Sequence, residues 1–302
     1  MIAWHDLYAL GAAACWAFGS MISVTPSRRL GAFAFVRWRM LIVALTMWAV
    51  TLGWGPMGGW RGFAPVDWAL MAASGLIGVF IGDTALFAAM NRLGPRRTGV
   101  LFATHAMFSA ALGYAVMGDR IGAQALLGAL LVVAGVMTAI LLGRHREESH
   151  AWESDRGHAG LGVALALLAA LCQALASLAA KPVLAQPQVD PIAASAVRLS
   201  AATLAHFGLL VAGLRSARAQ SPLTPGLLLQ TGINGLIAMG VGMTLVLVAL
   251  RDGDVGTVAV LSSVSPVLLL PMLWLHLRRA PAPAAWLGAG LTVVGTALVL
   301  LR

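Results

Sequence analysis

The second half of the chain repeats the first at an offset of about 160 residues, and each half consists of apolar segments long enough to cross a bilayer. Gly75, Gly82, Thr84, Ala89, Gly128 and Gly135 recur without a gap as Gly235, Gly242, Thr244, Ala249, Gly288 and Gly295. The clearest stretch sets residues 127–135 (LGALLVVAG) against 287–295 (LGAGLTVVG). In hydrocarbon every backbone N–H and C=O must be satisfied within the protein, which leaves helices and closed barrels as the only spanning structures. Segments of about 20 apolar residues select the helix.

Composition agrees. Of 302 residues, 60% are hydrophobic and 10% charged, against about 25% charged in a soluble domain. Residues 1–6 carry no positive segment, and the apolar stretch that follows reads as a span rather than a secretory signal. Cys15 and Cys172 both lie in apolar segments and read as small buried side chains, not as a disulfide or metal framework. The net charge of +9 is no nucleic-acid footprint, because the arginines fall mostly between apolar segments, as at membrane surfaces. Lys181 is the only lysine, a bias expected of a GC-rich bacterial genome.

Ten spans are predicted, at 6–25, 32–54, 67–91, 97–117, 121–142, 160–184, 191–214, 225–250, 255–277 and 281–301. Residues 55–65 are rich in Gly and Pro, and 94–95 and 251–254 are tight turns. Residues 143–159 (GRHREESHAWESDRGHA) are almost wholly polar and divide five spans from five. The expected units are therefore 1–142, a linker at 143–159, and 160–302. A unit with an odd number of spans starts and ends on opposite sides of the membrane. The second copy must then be inverted, related to the first by a pseudo-two-fold axis in the membrane plane. The fold class is an all-α integral membrane protein of ten transmembrane helices in two inverted five-helix repeats.

Gly75, Gly78 and Gly82 in the third span match Gly235, Ala238 and Gly242 in the eighth. Small residues at this spacing allow close helix approach, and the third and eighth spans are expected to face one another. Gly128, Gly135, Gly288 and Gly295 make the fifth and tenth spans a packed scaffold pair. Arginines concentrate in odd-numbered loops, including Arg28, Arg29, Arg92, Arg96, Arg144, Arg146, Arg215, Arg278 and Arg279. The positive-inside rule then places both termini outside.

The arrangement resembles the drug/metabolite transporter superfamily, in its ten-helix EamA type. Trp16-Ala17-Phe18-Gly19-Ser20 resembles the first-helix signature of that family, and Arg37 or Arg39 the arginine opening its second helix, with Arg198 in the comparable place in the seventh. Gly118-Asp119-Arg120-Ile121 resembles its Gly-Glu-Arg-Leu turn, and Val264-Ser265-Pro266-Val267 its ninth-helix element. Departures are Asp119 for glutamate, Arg278-Arg279-Ala280 where the second copy of the turn belongs, and Ala176 opposite Trp16. The resemblance implies a small-molecule transporter of the bacterial inner membrane, monomeric or homodimeric, with both termini cytoplasmic, the reverse of the arginine count. It also implies a cavity formed mainly by the first, third, fourth, sixth, eighth and ninth helices.

Charges inside a bilayer cost at least about 2.5 kcal/mol each on insertion scales. Asp83 lies deep in the third span, is a candidate proton carrier, and has Met243 as its repeat mate. The competing reading is a fixed partner for a neighbouring hydroxyl, for Arg37 or for Arg39. Asp6, Asp67 and Asp190 sit at span starts, where helix dipoles explain them. His105 lies mid-span, as a substrate ligand or a histidine bonded to a backbone carbonyl. Arg37, Arg39 and Arg198 are structural charges, and for Arg39 and Arg198 the default is snorkelling to the headgroups. Lys181, before Pro182, marks a helix end. Ser20, Thr104, Gln173, Ser177, Asn234, Thr244, Ser262, Ser263 and Ser265 are candidate cavity-lining polar groups, with Trp16 as a wall. Interhelical hydrogen bonds are the competing explanation for each.

These features favour a secondary transporter that exports small organic metabolites, such as amino acids, or drugs by alternating access, with protons as a candidate coupling ion. ATP-driven transport is disfavoured, because no G-x-x-x-x-G-K-[ST] loop is present. An intramembrane enzyme is the weaker alternative. His5, His105, His150, His158, His206 and His276 are scattered, with no HExxH and no metal or cofactor motif. A purely structural membrane protein is the third reading.

Overall fold

The computed structural model describes residues 3–53, 60–118, 122–141, 159–277 and 283–300. The linker 143–158, Asp119, Arg120, Ile121, Arg278, Arg279 and Ala280, on which several sequence readings rest, lie outside the described residues. Every described element is helical, in ten rods matching the ten predicted spans. They are α1 (Trp4–Leu30), α2 (Ala32–Gly53), α3 (Pro65–Gly94), α4 (Arg97–Met117), α5 (Ala123–Leu141), α6 (Ala159–Leu184), α7 (Pro191–Val211), α8 (Pro225–Asp252), α9 (255–277) and α10 (Pro283–Leu300). Seven are long and apolar enough to span by themselves, while α5, α9 and α10 carry shorter apolar stretches at Ala123–Thr138, Val255–Leu269 and Pro283–Val299.

Local chemistry sets the ends. Asp6 and Asp67 accept from the backbone N–H groups of Ala3 (3.3 Å) and Ala64 (2.8 Å), three residues upstream. Asp190 caps α7 by accepting from Ile192 N (2.8 Å), and Pro191 occupies the first helical turn. These carboxylates satisfy orphan N–H groups at positive helix ends, as their positions predict. At Gly94 the chain leaves α3 with φ 80°, a left-handed value that favours glycine. Lys181 lies in the last turn of α6, which ends at Leu184, with Pro182 inside the helix. Its Nζ donates to the carbonyls of Leu250 (2.9 Å), Arg251 (3.3 Å) and Gly253 (2.9 Å). It neutralises the negative end of α8.

The duplication is structural as well as sequential. Pro65–Gly75, followed by a π-helical segment Leu76–Asp83, recurs 160 residues on as Pro225–Gly235 and Leu236–Met243. The α-helical run of α4 breaks at Thr104, and that of α9 breaks at Ser263 and Val264. Helix pairing obeys the same exchange. The α3–α6 contact matches α8–α1, α4–α6 matches α9–α1, and α3–α7 matches α8–α2. The α2–α7, α4–α9 and α5–α10 pairs map onto themselves. Such pairing is what two inverted five-helix repeats about a pseudo-two-fold axis produce. In the α5–α10 pair a Cβ at Gly295 would lie 2.6 Å from the Gly128 carbonyl oxygen, and in the repeat-equivalent contact a Cβ at Gly135 would lie 2.6 Å from that of Gly288. The scaffold pair predicted from the glycines is thus a reciprocal backbone contact.

The glycines of α3 and α8 do not face one another. Gly75 packs on the main chain of Arg198 in α7, and Gly78 and Gly82 on Ala176 and Cys172 in α6. Their mates do the same from the other side. Gly235 meets Arg39 and Val43 in α2, Ala238 meets Gly19, and Gly242 meets Cys15 and Trp16 in α1. The third and eighth helices are therefore equivalents with separate partners.

These contacts also correct the register. Asn234 Nδ2 donates to the Gly19 carbonyl (2.7 Å), and its mate Ser74 donates through Oγ to the Ala176 carbonyl (2.6 Å). Ala176 is therefore the counterpart of Gly19, and Gln173, not Ala176, stands opposite Trp16. The packing of Gly75 and Gly235 likewise makes Arg39 rather than Arg37 the counterpart of Arg198.

Candidate functional site

Helices α2, α3 and α7 bring three charged side chains into one buried region, drawing on both repeats. Arg39 is 4% exposed, and its Nη1 lies 3.0 Å from Asp83 Oδ2. Its guanidinium stands over the rings of Phe87 (5.1 Å) and Phe35 (5.8 Å), which meet edge to face at 4.7 Å. The aromatic faces favour the cation on its apolar side, and the carboxylate offsets it on the other. Asp83 keeps 14% of its side chain exposed and ends the π-helical segment of α3. Among the alternatives left open by the sequence, its partner is Arg39.

Arg198 is 2% exposed. Its main chain packs on Gly75, and its Nη2 lies 3.5 Å from where a Cβ would stand at Gly78. Those two glycines admit the guanidinium between α7 and α3. Asp83 acts electrostatically on Arg198 as well as on Arg39. Arg198 makes no hydrogen bond among the described residues, and its Nε is buried without a partner. Neither Arg39 nor Arg198 snorkels: the headgroup-seeking expectation gives way to burial beside Asp83. Arg37 is separate. Its Nη1 donates to the Ala217 carbonyl (2.6 Å) in the α7–α8 connection, and its guanidinium stands 5.7 Å from the Phe207 ring centre.

Next to Asp83, Thr84 Oγ1 pairs with His206 Nε2 at 3.2 Å, and the imidazole packs on Phe80 (4.8 Å) and Phe33 (6.1 Å). Sequence reasoning passed over His206 as one of several scattered histidines. Its link to Thr84 depends on α7 crossing α3, which no local pattern encodes.

The remaining candidates sort differently. Trp16 Nε1 donates to the Ala238 carbonyl (2.9 Å), and Asn234 to that of Gly19, so both fasten α1 to α8. Ser20 donates to the Trp16 carbonyl (2.8 Å), Thr104 to that of Leu101 (2.6 Å), Ser262 to that of Ala259 (3.1 Å) and Ser263 to that of Val260 (2.7 Å), each within its own helix. Gln173 and Ser177 are buried in α6, and Ser265 is half-buried in α9. His105 is buried just after the α4 break, with its ring 5.0 Å from that of Phe102. The carbonyl bond expected for it is not formed, and its Nδ1 has no partner. One turn on, Ser109 Oγ is likewise buried without a partner, a feature the sequence reading missed. Among the described residues, no group of three or more His, Cys, Asp or Glu side chains is placed to hold a metal.

Two comparisons bear on this architecture. The model of the EamA-like transporter family matches residues 3–141 and 160–301. A crystal structure described only as that of a protein superposes with a TM-score of 0.75 at 19% identity, covering 100% of this chain and 98% of its own, which is a likeness of fold. No curated protein matches the chain.

Proposed function

The chain belongs to the EamA-like transporter family, and from that premise we propose a secondary transporter that exports small organic molecules by alternating access. Integral membrane placement, a lipid environment and a small-molecule substrate follow from the family and the apolar helices. Direction, substrate and mechanism are our reading. The observation that carries it is the Arg39–Asp83–Arg198 cluster. An ion cluster inside spans is expensive, and such charges commonly mark transport pathways. This one is assembled from α2 and α3 of one repeat and α7 of the other, where rocking of the halves would change its surroundings. Trp16, Ser20, His105, Gln173, Asn234, Ser262 and Ser265 are proposed to border the same pathway on the remaining central helices.

A proton-coupled version is favoured by one detail. Arg39 bonds only Oδ2 of Asp83, and the carboxylate keeps partial exposure. The test is an export and toxicity screen of cells with and without the gene, repeated with Asp83→Asn. Loss of resistance or efflux on deletion supports the exporter. Transport whose pH dependence survives Asp83→Asn intact rules out that carboxylate as the proton carrier. We place the protein in the inner membrane with cytoplasmic termini, against the arginine bias. His150→Cys, in a chain lacking Cys15 and Cys172, tests this, because the odd-numbered connection is shielded from impermeant thiol reagents if the termini lie outside. With cytoplasmic termini, it labels from the periplasm.

A further inference from the structure

We propose that Arg198 is an anion site that receives the carboxylate of the transported substrate, so that the substrate class is small monocarboxylates of net charge −1 rather than cationic drugs. This rests on the transporter reading above and gives it a chemistry.

The argument starts from the pseudo-two-fold. Arg39 and Arg198 are equivalent positions on equivalent helices, fixed by their packing against Gly235 and Gly75. Asp83 and Met243 are equivalent as well, closing the π-helical segments of α3 and α8. In one copy the arginine meets a carboxylate at 3.0 Å. In the other, the residue in the carboxylate's place is a buried methionine. The fold supplies a counter-charge position for each arginine and fills one. Arg37 offers a contrast at its terminal nitrogens, where Nη1 donates to a backbone carbonyl, although the Nε atoms of all three arginines are buried without partners. Arg198 has neither a carbonyl nor a carboxylate bonded to it, and its Nε is buried without a partner.

The charge count selects the ligand. Arg39, Arg198 and Asp83 together carry one net positive charge when ionised. A single monoanion neutralises them, whereas a phosphate dianion would leave an excess negative charge in a low-dielectric site. A guanidinium with free N–H groups presents a planar fork matched to a carboxylate. Gly75 and Gly78 let α7 lie close on α3, which holds the Arg198 guanidinium within the same buried region as Asp83. Asp83 beside it would reject a second carboxylate.

The experiment is thermal unfolding of the full-length purified protein in a neutral detergent without anionic lipid. The probes are sodium acetate, alanine, inorganic phosphate and tetraphenylphosphonium chloride, against a sodium chloride control of matched ionic strength. Three proteins are compared: the natural chain, Arg198→Gln, and Met243→Asp, which installs in the second copy the carboxylate that the first copy has. The expected result is a dose-dependent rise in melting temperature with acetate, larger than that with zwitterionic alanine, because a ligand binding only the folded state stabilises it. The rise should shrink at least tenfold in midpoint sensitivity in both variants. Equal shifts in all three proteins, no shift with any carboxylate, or a shift with the cation alone overturns the inference. If Met243→Asp does not fold, Arg198→Gln with Arg198→Lys decides, lysine restoring part of the response. Liposome transport separates the two readings. Cation export that survives Arg198→Gln keeps the transporter and removes the anion site. Arg198-dependent carboxylate binding with no flux keeps the site and removes the transporter.

Discussion

Replacing Asp83 by Asn removes a charge while keeping the shape of the side chain. Removing one partner of a buried ion pair costs about 3–5 kcal/mol, because the other charge is left uncompensated. Arg39 has little recourse, since its Nε is already without a partner and it is nearly inaccessible to water. The amide oxygen can still accept from Nη1, retaining about 1 kcal/mol. Arg198 simultaneously loses the one carboxylate that acts on it. We therefore expect Asp83→Asn to destabilise the fold by about 2–4 kcal/mol, from the balance of those terms. The pair Arg39→Met with Asp83→Leu removes both ions, and the apolar substitutes suit a pocket walled by Phe35 and Phe87. It should cost less than the two single changes summed, by about 2 kcal/mol of coupling. Equilibrium unfolding in mixed micelles, followed by the fluorescence of the 10 tryptophans, gives the four free energies of the cycle. Additive single effects, within about 0.5 kcal/mol, would refute a direct Arg39–Asp83 bond.

The same unfolding measurement reaches two further contacts. Lys181→Met strips three carbonyls at the end of α8 of their donor and should cost about 1.5–3 kcal/mol, the range for hydrogen bonds to a charged group; no change would deny the cap. Gly135→Val pushes a side chain into the Gly288 carbonyl and the Thr292 amide, each 2.6 Å from the Cβ position, and should cost about 1–3 kcal/mol or more by overpacking. Gly290→Ala, with nothing within 4 Å of its Cβ position, should leave stability unchanged or raised.

The spans and the duplication were legible because hydrophobicity and glycine spacing are carried locally along the chain. Register was less so. The repeat offset is 160 residues at Gly75 and Gly235, 159 at Arg39 and Arg198, and 157 at Gly19 and Ala176. Connections of unequal length shift each helix pair separately, so one global offset misassigned Ala176 and left Arg37 and Arg39 undecided. Asp83 stood out by its chemistry alone, since a carboxylate between Gly82 and Thr84 in an apolar run has no surface to reach. Its partner did not, because helix crossing is a three-dimensional fact. The π-helical segments left no trace in the composition, and the Thr84–His206 contact joins residues 122 positions apart.

The symmetry itself says where function can differ between the copies. Helices α5 and α10 lie about the pseudo-two-fold and each packs on its own counterpart, so that the Gly128–Gly295 contact has its image in Gly135–Gly288. Such positions are held to self-complementarity and suit a scaffold. Off the axis, each copy meets a different surface, and the two can diverge independently. Asp83 against Met243, Trp16 against Gln173 and Ser74 against Asn234 are all off-axis, and all touch the helices that contact both halves. An asymmetric ligand needs an asymmetric site, and a duplicated fold can build one only where its copies are free to part. The Arg39–Asp83 pair and the unbonded Arg198 are the sharpest such parting of charge, which is why the variant that restores the symmetry, Met243→Asp, tests the site more directly than any deletion.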